Sequence, residues 1–167
     1  MNAPLRGLLL PLLVLLSGCA TLGQVIQPPR FEVDGGRPAE LRLTGPAPGR
    51  PLGGAALRIY ARVQNPNPLA FTLSTLRGGL LLDGRQAAQV NFPLGIPLAA
   101  GAETIVPIDV GISFADVPGL ADVITRTLTG GTVRYRLDGT VGVDAGVLGQ
   151  PTFGPMTLLQ GEVRPTR

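Results

Sequence analysis

Glu103-Thr104-Ile105-Val106-Pro107-Ile108-Asp109-Val110-Gly111-Ile112-Ser113-Phe114 is the stretch that decides the fold. Thr104, Val106, Ile108, Val110, Ile112 and Phe114 share one parity. Glu103, Pro107, Asp109, Gly111 and Ser113 share the other, and only Ile105 departs. Side chains of an extended chain alternate between two faces, so this is a strand with one face on a core and one in water. Pro107 lacks an N–H, which puts the strand at a sheet edge or turns Pro107 out of the ladder.

The same alternation recurs on both sides of it. Leu57, Ile59, Ala61 and Val63 point one way, and Arg58, Tyr60, Arg62 and Gln64 the other. Phe31 and Val33 share a parity, as do Leu41 and Leu43, and a last strand is expected over 156–163. Asp83-Gly84, between Leu80-Leu81-Leu82 and the segment 87–92, predicts a two-residue hairpin turn. Asp138-Gly139 does not. A turn there would strand Val141 and Val143 on the wrong face. One continuous strand keeps Val133, Tyr135, Leu137, Val141 and Val143 together, with Gly139 as a bend or bulge. One helix is expected, capped by Asp116 with Pro118 in its first turn and closed by Gly130-Gly131. Its apolar face would be Val117, Leu120, Ala121, Ile124 and Leu128, with Arg126 near its C-terminal end. Seven or eight strands with one short helix in a single domain, 30–167, describe an all-β antiparallel β-sandwich.

Composition narrows the chemistry. The 24 glycines and 17 prolines, about a quarter of the chain, approach the level of disordered sequences, but 44% hydrophobic content in alternating runs favours folding. There is no histidine, and all 14 basic residues are arginine. A Ser-His-Asp or Cys-His nucleophile cannot be assembled, nor a Schiff-base lysine or a P-loop. The single cysteine, Cys19, excludes an intrachain disulfide and a thiolate metal cluster. Asp34-Gly35-Gly36 and Asp144-Ala145-Gly146 read as turns rather than calcium loops, which need several oxygens at alternate positions. Gly53-Gly54 and Gly78-Gly79 lack the strand–loop–helix setting of a phosphate cradle. These readings leave no catalytic residue, no metal site and no cofactor.

The N-terminus reads as an export signal over 1–18. Arg6 precedes the apolar run 8–16, whose nine residues are too few for a ~30 Å hydrocarbon layer, which needs ~20. Leu16-Ser17-Gly18-Cys19 closes it and resembles the bacterial lipobox, in which the cysteine is lipidated and becomes the new N-terminus. Residues 19–29 would then be the lipidated Cys19 and a tether ending in Pro28-Pro29. Ala20, rather than aspartate, follows the cysteine and favours an outer over an inner membrane. The expected location is the cell envelope, with the membrane as partner through the lipid.

Val63-Gln64-Asn65-Pro66-Asn67-Pro68 follows a strand directly, and each asparagine is turned away from helix towards extended or turn conformations by the proline after it. Alone, Asn65, Pro66 and Asn67 are a structural turn. With Leu73, Leu76 and Leu81 before Asp83-Gly84, then Ile96-Pro97-Leu98 with Gly101, then Tyr135-x-Leu137-x-Gly139-x-Val141-x-Val143, the run resembles the LEA type 2 family, the WHy (water stress and hypersensitive response) domain. The resemblance spans about residues 30–164. It implies a fibronectin type III-like sandwich of about seven strands with one helix, no established catalytic residues, and a link to desiccation stress.

The charge balance outside the signal is small, thirteen arginines against eleven acids. Arg58, Tyr60 and Arg62 with Arg134 and Arg136 would form a cationic face if their strands were neighbours, able to contact anionic lipids. The plainer reading is a solvated sheet face whose arginines cover apolar surface. Nucleic acid is a poor partner for an exported chain. The expected function is non-catalytic protection of envelope components or client proteins in water stress. The alternative is an envelope scaffolding or binding lipoprotein that uses the sandwich as an interaction module.

Overall fold

A computed structural model describes residues 26–117 and 121–166. In chain order its elements are β1 (Arg30–Val33), β2 (Glu40–Thr44), β3 (Gly54–Gln64), β4 (Phe71–Leu82), β5 (Arg85–Leu98), β6 (Glu103–Ser113), α1 (Ala121–Leu128), β7 (Val133–Asp144), β8 (Thr152–Val163) and β9 (Pro165–Thr166). The signal, Cys19 and the first part of the tether lie outside the described residues, as do Pro118 and Leu120.

Two sheets form. In one, β3 is central, with β6 along one side and β1 and β2 sharing the other; β9 continues beyond β2. The other runs β5-β4-β7-β8. All pairs are antiparallel except β2 with β9. The sheets meet face to face over a single core, to which β3 contributes Leu57, Ile59, Ala61 and Val63 and β6 contributes Val106, Ile108, Val110 and Ile112. From the facing sheet come Leu73, Leu76, Leu80, Val133, Leu137, Val141 and Val143. The parity read along β3, β6 and β7 is the observed inward face. The fold is the expected all-β sandwich.

Pro107 is tolerated because, among the described residues, β6 pairs only with β3 and is an edge. Asp83 and Gly84 both have positive φ, 46° and 80°, which makes the β4–β5 connection a type I′ turn. β7 is continuous through Asp138-Gly139, and its register with β8 shifts at that point. Gly139 faces Gly78 across β4–β7, where a Cβ on either would meet the other strand's backbone. Gly161 plays a related part opposite Tyr135, since a Cβ there would lie 2.6 Å from the phenol oxygen. Burial pushes the Tyr135 hydroxyl above its ordinary pKa.

Some boundaries differ from expectation. β8 begins at Thr152, four residues before the expected start, and β5 runs on through Pro93 and Pro97 to Leu98. Both are the outer strands of their sheet, where a missing N–H costs no ladder bond. The described helix begins at Ala121, so the expected cap at Asp116 falls against undescribed residues. Its end is as expected. Gly130 has φ +77°, and the N–H groups of Gly130 and Gly131 donate to the carbonyls of Thr127 and Arg126 at 3.1 and 2.9 Å, a Schellman closure. Val123 and Thr127 turn inward towards Leu41, Ala55, Leu82 and Phe114, closing that end of the sandwich.

Candidate functional site

The other end is closed by polar side chains. β3 stops at Gln64, and the next four residues include two prolines, so the backbone there has few donors and several carbonyls to satisfy. Asn65 does most of this. It is fully buried, and its Nδ2 donates to the carbonyls of Leu69 at 2.8 Å and Ala99 at 3.0 Å. Its Oδ1 accepts from the Asn67 N–H at 2.9 Å and from Asn67 Nδ2 at 3.0 Å. The turn 65–70 is thereby tied to the β5–β6 connection. Backbone bonds from Asn65 N–H to Ala102 O and from Gly101 N–H to Asn67 O complete the tie.

Asn67, also buried, reaches further. Its Oδ1 accepts from the Gln27 N–H at 2.7 Å and its Nδ2 donates to Gln27 O at 2.9 Å. A side-chain amide thus pairs with one residue of the expected tether as a neighbouring strand would. Ile26 and Pro29 are buried beside it. Residues 26–29, the last four of the expected tether, are therefore docked on the domain, an attachment the sequence reading missed. The only local signal was two asparagines held in one turn; their partner lies 40 residues away.

The arginines are not gathered into one face. Arg58, Tyr60 and Arg62 lie on β3 in one sheet, and Arg134 and Arg136 on β7 in the other, so the expected single patch is corrected to two separate rows. The β3 row is largely neutralised. Arg58 forks onto Asp109 with bonds of 2.6 and 3.1 Å, and that carboxylate holds the guanidinium charged well above its ordinary range. Arg62 donates to Asp34 at 2.7 Å, with Glu103 at 3.1 Å, and its pKa is raised chiefly by Asp34. Tyr60 lies under the Arg37 guanidinium, 5.6 Å from its charged carbon. On β7, Arg136 pairs with Asp138 at 2.9 Å.

The two β3 pairs differ in what loss of the arginine leaves behind. Asp34 is 4% exposed, whereas Asp109 is 60% exposed and remains solvated alone. Arg62→Ala should therefore destabilise the domain measurably in urea titrations, and Arg58→Ala should be close to silent. Equal effects would mean that Asp34 does not depend on Arg62.

Among the described residues, no three His, Cys, Asp or Glu side chains gather as metal ligands would. No helix there is long and apolar enough to cross a membrane.

The sequence profile of the family described as Late embryogenesis abundant protein, LEA_2, matches residues 60–157. No curated protein matches the chain. Among solved structures, the solution structure of AT1g01470 from Arabidopsis thaliana is similar, at 19% identity and TM-score 0.58 over 85% of each chain. So is that of the late embryogenesis abundant (LEA) protein At2g46140.1, at 18% identity and TM-score 0.54, over 87% of this chain and 75% of that one. Both share the fold. The profile covers more than half of the sequence, from the middle of β3 into β8, and the chain belongs to the late embryogenesis abundant LEA_2 family.

Proposed function

We propose that this chain is a non-catalytic, lipid-anchored envelope protein that protects membrane components or proteins during water loss. The observation that carries the reading is the union, in one chain, of an LEA_2 sandwich with a lone cysteine placed as in a lipobox. The family is generally non-catalytic, and the inventory without His or Lys agrees with that character. Two or three acyl chains at ~0.8 kcal/mol per buried CH₂ are enough for stable attachment.

The working part is a folded body. Disordered protectants act as flexible spacers, but this chain commits its alternating apolar residues to one core. During drying, such a body held at the bilayer separates surfaces that would otherwise be pressed together. The envelope, on the periplasmic side of an outer membrane, is the location that Ala20 favours.

Cys19→Ser tests the anchor. The substituted protein should lose lipid label and move from the membrane to the soluble fraction. If it still sediments with membranes as tightly as the parent, lipid on Cys19 is not what holds it.

A further inference from the structure

Three connections meet at the end of the sandwich that Asn65 closes: 65–70, 99–102 and 145–151. They share one end because β3, β5 and β7 finish there, and Thr72 of β4 pairs with Asp144. None of the three loops contains a charged residue, and the charges at this end, Arg30, Glu103 and Asp144, lie on the strand ends that flank them. The opposite end carries Arg50, Asp83, Asp116, Arg126 and Arg164.

At the tip of these loops sits an apolar pair. Val147 is fully exposed and Leu148 is 44% exposed, both in a 3-10 turn at Gly146–Leu148. The turn is held in place. Asp144 accepts from the Gly146 N–H at 2.9 Å and from Gln150 Nε2 at 3.3 Å, and the Ala145 N–H donates to Gly149 O at 2.9 Å. Gly146 and Gly149 supply the positive φ angles, 62° and 92°, that the conformation needs. An ordered loop that points two apolar side chains at solvent leaves their burial to be gained on contact with another apolar phase.

The docked segment enters at this same end, because Gln27 is bonded to Asn67. Six residues lie between Cys19 and Ile26, so the two are at most ~25 Å apart along an extended chain. A lipid on Cys19 would keep this end, rather than the charged one, beside the headgroups.

We propose that the uncharged loops at this end, with Val147 and Leu148 at their tip, form a lipid-contact surface that enters the interfacial layer of the bilayer carrying the anchor. The inference rests on the anchored reading for its orientation. Interfacial insertion rewards apolar side chains flanked by uncharged backbone, and this end supplies both.

The chain contains no tryptophan, so Val147→Trp and Leu52→Trp each install a single indole, one at the tip and one on the exposed loop at the far end. The chain from Cys19 onward is coupled through that thiol to maleimide lipids in phosphatidylethanolamine/phosphatidylglycerol vesicles, with or without brominated acyl chains. The Val147→Trp variant should shift its emission to the blue and lose intensity to bromine, while the Leu52→Trp variant should do neither. Equal quenching of both, or of neither, would overturn the inference. So would a blue shift at Val147→Trp that appears without vesicles, which would put a second copy of the chain on the tip. Chemical coupling replaces lipidation by the cell, so this failure is distinct from failure of the Cys19→Ser release.

Discussion

Asn65→Ala is expected to remove about 3–5 kcal/mol of folding stability, a large share of the ~5–15 kcal/mol of an ordinary domain. The side chain is fully buried and serves four hydrogen bonds of 2.8–3.0 Å. Alanine would leave the Asn67 N–H and the carbonyls of Leu69 and Ala99 without those partners. Each orphaned group costs ~1–3 kcal/mol, reduced where water can enter the space left by the amide. Asn65→Asp should not rescue, since it loses the Nδ2 donor and buries a charge. Urea unfolding monitored by circular dichroism reads the loss as a lower midpoint at unchanged slope. A midpoint close to the parent's would show that the turn 65–70 holds without its asparagine.

Ile59→Ala is expected to cost ~2–5 kcal/mol, through lost burial and the cavity left behind. Ile59 is fully buried at the middle of β3, opposite Ile108 of β6 on one edge and between the spans of β2 and β1 on the other. Its core neighbours are held in two hydrogen-bonded sheets, which limits how far they can collapse into the space. Leu137→Ala, at the equivalent place on β7 between β4 and β8, should behave alike. A loss under ~1 kcal/mol for either would mean that the site refills, contrary to close core packing.

Both residues were legible as core in the sequence, because a two-residue period survives wherever a strand is regular. β3, β6 and β7 are regular, and their inward faces could be read directly. β4 is less so. Its register with both neighbours skips Ser74, which puts Leu73 and Leu76 on the same side although their parity differs. β8 has a similar shift beside Leu158, where Leu158 and Leu159 are both buried. A bulge erases the period that announces a strand.

The candidate site was legible only as pieces. Asn65-Pro66-Asn67 announced a turn, and the alternation of β3 put Arg58, Tyr60 and Arg62 on the outer face. Neither local pattern contains the pairing partner. Arg58 and Arg62 find Asp109 and Glu103 because β6 lies beside β3, and Arg134 and Arg136 fall on the other sheet because β7 pairs with β4. Gln27 finds Asn67 because β1 pairs with the end of β3 and brings the chain before it alongside the turn. Which strands become neighbours is decided by the core as a whole.

These contacts give the protective reading its physical shape. A helix closes one end of the sandwich, buried amides close the other, and the tether leaves from the amide end. On the proposed reading, the protein would be a rigid spacer with that end towards the bilayer. Its adhesion to anionic surfaces should owe little to the β3 arginines, whose charge is already met by carboxylates. Protection should depend on both the folded state and the attachment.

Survival after drying tests that claim most directly, in a deletion strain complemented with the parent, Cys19→Ser or Asn65→Ala chain. The parent alone should restore survival. The detached chain and the destabilised chain should each fall short of it under conditions where all three are equally produced. Survival of the uncomplemented deletion strain equal to that of the wild type, or full rescue by the detached and destabilised chains, would contradict the account.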